Sequence, residues 1–301
     1  MNTNCNLIMG ALVADAASLG LHWLYDQPRI AQLAGDTPEF RATTAKDFEG
    51  VPAYFAHPLK RPGDLTQYGE QLMVLLRALA ASGGTYDQTV YNAEFAAHFG
   101  YGGTYSGYID HATRETLDNL AKGDADAPQG ANDVQLPAIA KLPALVAAGQ
   151  ERHAADAVRT TNATEIADLY GAVATAMLIA ARDGESKAQI AEAAVGAADP
   201  QILPRLDLAR AATDRTNAEI TSELGLACEL ENGVPSVLHN ILTAGSYADA
   251  IRTNILSGGD SCGRAILLGA LAGALCGVPE DWAARLNNRA QVQDLLDQLK
   301  L

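Results

Sequence analysis

Ser257-Gly258-Gly259-Asp260-Ser261-Cys262-Gly263-Arg264 runs straight into Ala265-Ile266-Leu267-Leu268-Gly269-Ala270-Leu271-Ala272-Gly273-Ala274-Leu275-Cys276-Gly277. The second half is apolar on every face, which predicts a central helix buried by other helices. Gly269, Gly273 and Gly277 recur every four residues and form one stripe, so a neighbouring helix can come close. Asp260 or Ser261 is placed to cap the helix start. Cys262 then falls in the first turn, where free backbone N–H groups and the helix dipole favour a thiolate. Cys276 lies about 21 Å further along at 1.5 Å per residue, so the two cysteines are not bridged.

The rest of the chain agrees with a helical reading. Leu72, Leu75, Leu76 and Leu79 make one face of a helix over Thr66–Ala81. Leu136, Ile139, Ala140, Pro143, Leu145 and Val146 fit a second helix. Ala163–Arg182 reads as a long alanine-rich helix, Gln189–Ala197 as a shorter one, and Asp281–Leu299 as a closing amphipathic one. Val237, Ile241, Ala248, Ile251 and Ile255 fit two more, broken at Gly245. Clean alternation of β-branched residues is absent, so the expected fold is all-α, with 1–301 as a single multi-helix domain. Loops are expected at Thr37–Pro62, Gly100–Gly107, Gly123–Gly130 and Pro200–Pro204. The first is long enough to suggest a functional role.

Composition narrows the function. The 301 residues carry 21 Lys+Arg against 36 Asp+Glu, a net charge of −15. That charge repels nucleic-acid backbones and anionic membranes, so neither is an expected partner. The longest apolar run, Ala265–Val278, is too short and glycine-rich to span a bilayer. Met1–Asn6 has no basic residue and the apolar stretch behind it is broken by Asp15, unlike a signal peptide. Cys5, Cys228, Cys262 and Cys276 form no C-x-x-C pair, which indicates neither a zinc site nor a disulfide framework. A reduced, cytoplasmic protein is expected.

Four further segments hold polar groups suited to chemistry. Asp15 and His22 are seven residues apart in an apolar stretch and share a face if the helix continues that far. Asp64 with Gln67 reads as a capping box. Tyr101, Tyr105 and Tyr108 alternate with glycines in a loop that suits the stacking of a base or sugar. Asn132 with Gln135 reads as another capping box, and Asp133 suits a helix N-terminus. Each is also explained by capping or packing alone.

Taken in order, these segments resemble the ADP-ribosylglycohydrolase family. Ala14-Asp15-Ala16 is similar to that family's opening Gly-Asp-Ala helix. Gly63-Asp64-Leu65-Thr66 falls on its Thr-Asp-Asp-Thr motif. Gly258-Gly259-Asp260-Ser261-Cys262-Gly263 falls on its Gly-Gly-Asp-Thr-Asp-Thr motif, with Pro279 and Trp282 matching residues beyond the following helix. The resemblance implies an all-α fold with a central cleft on which Asp15, His22, Asp64, Asp260 and Cys262 converge. In the family six residues of the two motifs hold two Mg²⁺ ions. Asp64 and Asp260 remain, while Gly63, Leu65, Cys262 and Gly263 replace the other four. Mg²⁺ requires oxygen ligands, so a binuclear site is not expected and Asp64 with Asp260 would hold one weak ion at most. Leu21-His22-Trp23-Leu24-Tyr25-Asp26, Tyr108-Ile109-Asp110 and Gly130–Gln135 are similar to the branch that includes J-type crystallins.

Three readings stay open at this point. The first is a hydrolase cleaving an ADP-ribosyl or related C–N or C–O glycosidic bond, with Asp64 and Asp260 anchoring a residual Mg²⁺. The second is a metal-independent hydrolase of a different small molecule, with Cys262 as nucleophile and His22 as acid–base partner. The third is a crystallin-like protein without activity. Under the enzymatic readings the substrate is a small molecule, ADP-ribose-like in the first. Asp15, Tyr101, Tyr105, Tyr108, Asn132, Asp133 and Ser261 are the candidate contacts.

Overall fold

The computed structural model describes residues 2–123 and 129–301. Among them the chain forms sixteen α-helices. In order these are α1 (Thr3–Ser18), α2 (Gln27–Ala34), α3 (Gln67–Ala81), α4 (Gln88–Phe99), α5 (His111–Lys122), α6 (Leu142–Ala147), α7 (Ala154–Arg159) and α8 (Glu165–Arg182). They continue as α9 (Lys187–Gly196), α10 (Leu203–Ala211), α11 (Asn217–Leu224), α12 (Leu230–Thr243), α13 (Tyr247–Ser257), α14 (Ser261–Cys276), α15 (Glu280–Ala283) and α16 (Arg289–Leu299). Isolated bridges are the only β-type pairings described.

The glycine stripe does what its spacing predicts, and its partner is α1. A Cβ on Gly269 would lie 2.3 Å from the Gly10 carbonyl oxygen, and one on Gly273 would lie 2.4 Å from that of Asn6. Gly10 is equally crowded by the Gly269 backbone. The two helices therefore meet backbone to backbone, and a side chain at any of the three positions would push them apart. Gly277 lies past the helix end and serves as its C-cap instead. Around this pair pack α13, α12, α8, α3 and α6. One core cluster includes residues of nearly every helix.

Both central helices are apolar all round because they are buried all round. Thr3–Leu21 is long and apolar enough to cross a membrane by composition, yet 89% of its apolar window is buried inside this fold. It exceeds the Ala265–Val278 run that stands out in the sequence.

Several expected boundaries shift. The second predicted helix splits into a 3₁₀ turn, Leu136–Ile139, and α6. The closing helix splits into α15 and α16. Asp64 does not cap α3: Thr66 does, with its hydroxyl accepting from the Tyr68 N–H at 3.2 Å. Asn132 caps nothing, and Gln135 flanks the 3₁₀ turn instead. The loop expected at Gly123–Gly130 lies partly outside the described residues.

Candidate active site

Helix α1 ends at Ser18 and a 3₁₀ turn carries the chain to Leu21, leaving His22 in extended backbone. Asp15 and His22 therefore do not share a helix face. The turn instead delivers His22 and Trp23 to the start of α14. Trp23 takes a left-handed φ of 58°, which costs a bulky residue roughly 1–2 kcal/mol. Its surroundings hold it there. Its N–H donates to the Gly259 carbonyl at 2.9 Å, and its carbonyl accepts from the Tyr54 N–H at 2.9 Å. Gly259 itself has φ 64°, and a Cβ there would strike the Leu226 carbonyl at 2.0 Å. Left-handed backbone at a bulky residue, held from two sides, is a common mark of a functional site.

Asp260 caps α14, its Oδ1 accepting from the Gly263 N–H at 2.9 Å. Its Oδ2 accepts from the Tyr68 hydroxyl at 2.6 Å. Both side chains are fully buried. Burial pushes the Asp260 carboxyl up, and the bonds from Tyr68 and Gly263 pull it partly back. Arg264 supplies the neighbouring positive charge. It is 1% exposed and donates to Asn254 Oδ1 at 2.9 Å and to the Gly258 carbonyl.

His22 accepts from the Cys262 backbone N–H on Nδ1 at 3.3 Å. Nδ1 also lies 3.5 Å from Asp260 Oδ1, an oxygen already taken by the Gly263 N–H, so the Cys262 bond leaves the ring proton on Nε2, which is buried without a partner. Burial holds His22 well below its ordinary pKa, and His57 and Arg264 press the same way. The imidazole is therefore neutral and fixed in tautomer, and it forms a triangle of rings with Trp23 at 4.3 Å and His57 at 5.3 Å, these two being 6.2 Å apart.

Cys262 lies in the first turn of α14, as expected, but its thiol donates to the Asp15 carbonyl at 3.6 Å and is fully buried. Burial pushes the thiol well above its ordinary pKa, with the Asp15 and Asp260 carboxyls adding to it. A thiol pushed up beside an imidazole pushed down is a neutral pair. The geometry thus works against the thiolate–imidazolium couple read from the sequence, because His22 faces the backbone N–H of Cys262.

Asp15 is also fully buried. Its Oδ2 accepts from the Thr66 N–H at 2.8 Å and its Oδ1 from the Thr66 hydroxyl at 2.5 Å. Burial pushes it up to about 7 despite those bonds. It ties α1 to the start of α3.

Asp64 does not join this cluster. Its Oδ2 accepts from the Arg61 N–H at 2.8 Å and its Oδ1 from Asn287 at 2.7 Å. It lines a separate cavity of about 790 Å³ with Glu70, Arg77, Glu94 and His98. Of the five residues expected to converge, Asp15, His22, Asp260 and Cys262 come together in the buried core.

The donor set does not fit a dinuclear magnesium centre. Leu65 is a buried apolar side chain, Gly263 offers its amide to Asp260, and the Cys262 thiol points to Asp15. All four oxygens of Asp64 and Asp260 already accept from protein donors. Among the described residues no three His, Cys, Asp or Glu side chains are grouped to hold an ion. The Tyr68 hydroxyl takes the Asp260 oxygen that a cation would need.

The expected substrate contacts scatter. Tyr101 is fully exposed, and Asn132 is exposed on the surface. Tyr105 donates to the Tyr108 carbonyl at 2.9 Å and braces its own loop. Asp133 accepts from His111 at 3.0 Å, Asn162 at 2.9 Å and the Gln135 N–H at 2.7 Å, which makes it a clamp between segments. Ser261 is buried with its hydroxyl unpartnered. Tyr108 alone of this group meets the histidine cluster. Its ring stands edge-on to Trp23 at 4.9 Å, and it lines a cavity of about 320 Å³ with His57 and Lys60.

His57, Tyr68, Trp23 and Arg264 are the site residues that sequence reading missed. The adjacent His22-Trp23 pair inside an apolar stretch was the available signal for the last turn before the site.

The fold and the two motif loops define a class, and comparison with known proteins agrees. The ADP-ribosylglycohydrolase family model matches residues 5–301, and the chain belongs to that family. It is 26% identical to Crystallin J1A of Tripedalia cystophora, over 97% of this chain and 94% of that one. Crystallin J1B of the same animal is 24% identical over the same shares. A solved ADP-ribosylglycohydrolase-related protein complex shares the fold, with TM-score 0.72 and 19% identity over 99% of this chain and 96% of that one.

Proposed function

We propose that the chain is a hydrolase that cleaves an ADP-ribosyl or related glycosidic bond beside His22, using side chains in place of a dinuclear magnesium centre. Membership of a hydrolase family supports the reaction class. The observation that carries the residue assignment is the unpartnered Nε2–H of His22, which lines a cavity with His57. A neutral imidazole with its tautomer set by a helix N-terminus is a fixed hydrogen-bond donor. It would hold the leaving atom by a hydrogen bond as the glycosidic bond breaks, keeping its own proton. His57, whose two ring nitrogens are both free, would accept the proton of the attacking water and release it to the leaving group. Water thus supplies a hydroxyl to the anomeric carbon and, through His57, a proton to the leaving group. Cys262 acts as a positioning residue through its backbone N–H, Asp260 fixes the α14 start that presents it, and Asp15 holds the α3 start beside them.

The test is product release from an ADP-ribosylated peptide and from simple ribosides, followed by mass spectrometry in excess chelator. Release that persists in chelator, and in Cys262→Ala, supports this reading. Release that vanishes in chelator and returns with Mg²⁺ contradicts it.

A crystallin-like role without turnover is the second reading. It is favoured by the sealing of Asp15, Asp260 and Cys262, each 0% exposed, and by the crystallin relatives. Absence of product from every substrate would support it.

A further inference from the structure

The loop Thr37–Pro62 closes over residues 19–22 and encloses a cavity of about 180 Å³. Arg41, Lys60 and Arg61 line it together with His22 and His57, and no Asp or Glu does. Three basic side chains with no carboxylate stand out in a chain with 36 carboxylates and 21 basic side chains. In the cavity of about 790 Å³ Lys60 and Arg77 face Asp64, Glu70 and Glu94, and in another of about 570 Å³ Arg159 faces Asp156, Glu165 and Asp168.

The polar atoms that meet here are also unsatisfied. Both ring nitrogens of His57, which is 6% exposed, have no partner. Nor does His22 Nε2, in a side chain 1% exposed. Arg41 spends one Nη on the Ala34 carbonyl and leaves its buried Nε free. Buried donors without acceptors cost stability, and they are kept where something supplies the acceptors. The nearby Lys60 charge helps to hold His57 down to about 4, after burial itself, which marks the local potential as positive.

A ligand for this wall must bring several acceptor oxygens and negative charge in a small volume. At about 30 Å³ per water, the cavity has the room of roughly six waters. That suits one tetrahedral oxyanion. We propose that the cavity between residues 19–22 and the loop 41–62 binds a small tetrahedral oxyanion: free phosphate, or the terminal group of a phosphomonoester. Arg41 and Lys60 supply the charge, and His22 and His57 the buried donors. Arg61, largely exposed, stands at the mouth. The proposal goes beyond the hydrolase reading, which gives His22 a bond to act on but no anion. The two share that residue, and a binding measurement without turnover lets them fail separately.

The experiment is calorimetric titration of the full chain with inorganic phosphate at constant ionic strength, with chloride as control. Saturable one-to-one binding is expected with phosphate and not with chloride. Arg41→Gln and Lys60→Met should each weaken it about tenfold, the effect of losing one charge-assisted contact. Lys60 makes no buried hydrogen bond among those described, so Lys60→Met tests the site even if Arg41→Gln disturbs the fold. Methyl phosphate in a parallel titration separates the sources. Binding equal to that of phosphate indicates an ester end, and loss indicates the free ion. Absence of saturable phosphate binding, or binding unchanged in both variants, overturns the proposal.

Discussion

Two loops that precede helices, Gly63–Thr66 ahead of α3 and Gly258–Gly263 ahead of α14, each carry one aspartate and hold it differently. Asp260 is fully buried, caps its helix, accepts from Tyr68 and lies near the buried Arg264. Asp64 lies off the helix start and bonds Asn287 and its own turn near solvent. The difference shows that similar loop positions do not give a carboxylate the same role. With Leu65, Cys262 and Gly263 beside them offering no side-chain oxygen, each aspartate answers to its local donors. One becomes part of the core's electrostatics and the other a surface latch.

Stability measurements can break this contrast. Asp260→Ala should be the most damaging, because it leaves the buried Tyr68 hydroxyl and Gly263 N–H unpaired and removes a carboxyl near the buried Arg264. Each buried donor left unpaired costs about 1–3 kcal/mol, which urea unfolding at neutral pH would read. A loss below about 1 kcal/mol would put Asp260 outside the core network.

The next effect is pH-dependent and belongs to Asp15, the residue that joins the α3 loop to α1. Its pKa is about 7 in the fold against an ordinary value of 3.8. The folded state therefore holds the proton more tightly, and this contribution is complete below pH 4 and lost as pH rises through 7. Between pH 5 and 8 the wild type should lose stability relative to Asp15→Asn, by no more than about 1.4 kcal/mol per pH unit. Parallel stability curves for the two proteins would show that Asp15 is ionised throughout. Asp64→Ala should have the smallest effect, under about 1 kcal/mol, since its partners face solvent and rehydrate. A loss equal to that of Asp260→Ala would erase the contrast.

The sequence is legible where the physics is local. The α14 stripe is readable because glycine at every fourth position has few other uses, and Asp260 is readable as a cap because it stands directly before an apolar run. Legibility fails where a contact depends on distant chain. Tyr68 looks like an ordinary helical residue, and only the fold brings its hydroxyl to Asp260, 192 residues away. Arg41, His57 and Lys60 lie in a loop without periodicity, so nothing local says that they surround one cavity. His22 was visible as a polar residue in an apolar stretch. Its tautomer was not, since that depends on a backbone N–H 240 residues on. Cys262 stands in the first turn of its helix, as the sequence predicts, and there complete burial opposes the thiolate that helix position favours.

The central claim is that chemistry in this cleft rests on the fixed Nε2–H of a neutral His22. It is tested most directly by comparing the wild type with His22→Phe, which keeps a ring but no donor, on a confirmed glycosyl substrate, in chelator, across pH 6 to 8. Loss of a positioned hydrogen-bond donor should lower kcat by about 10²–10³-fold with little change in KM. The wild-type rate should show no inflection from His22, which stays neutral over that range. Equal kcat in the two proteins, or a rate that appears only when Mg²⁺ is restored, would contradict the account.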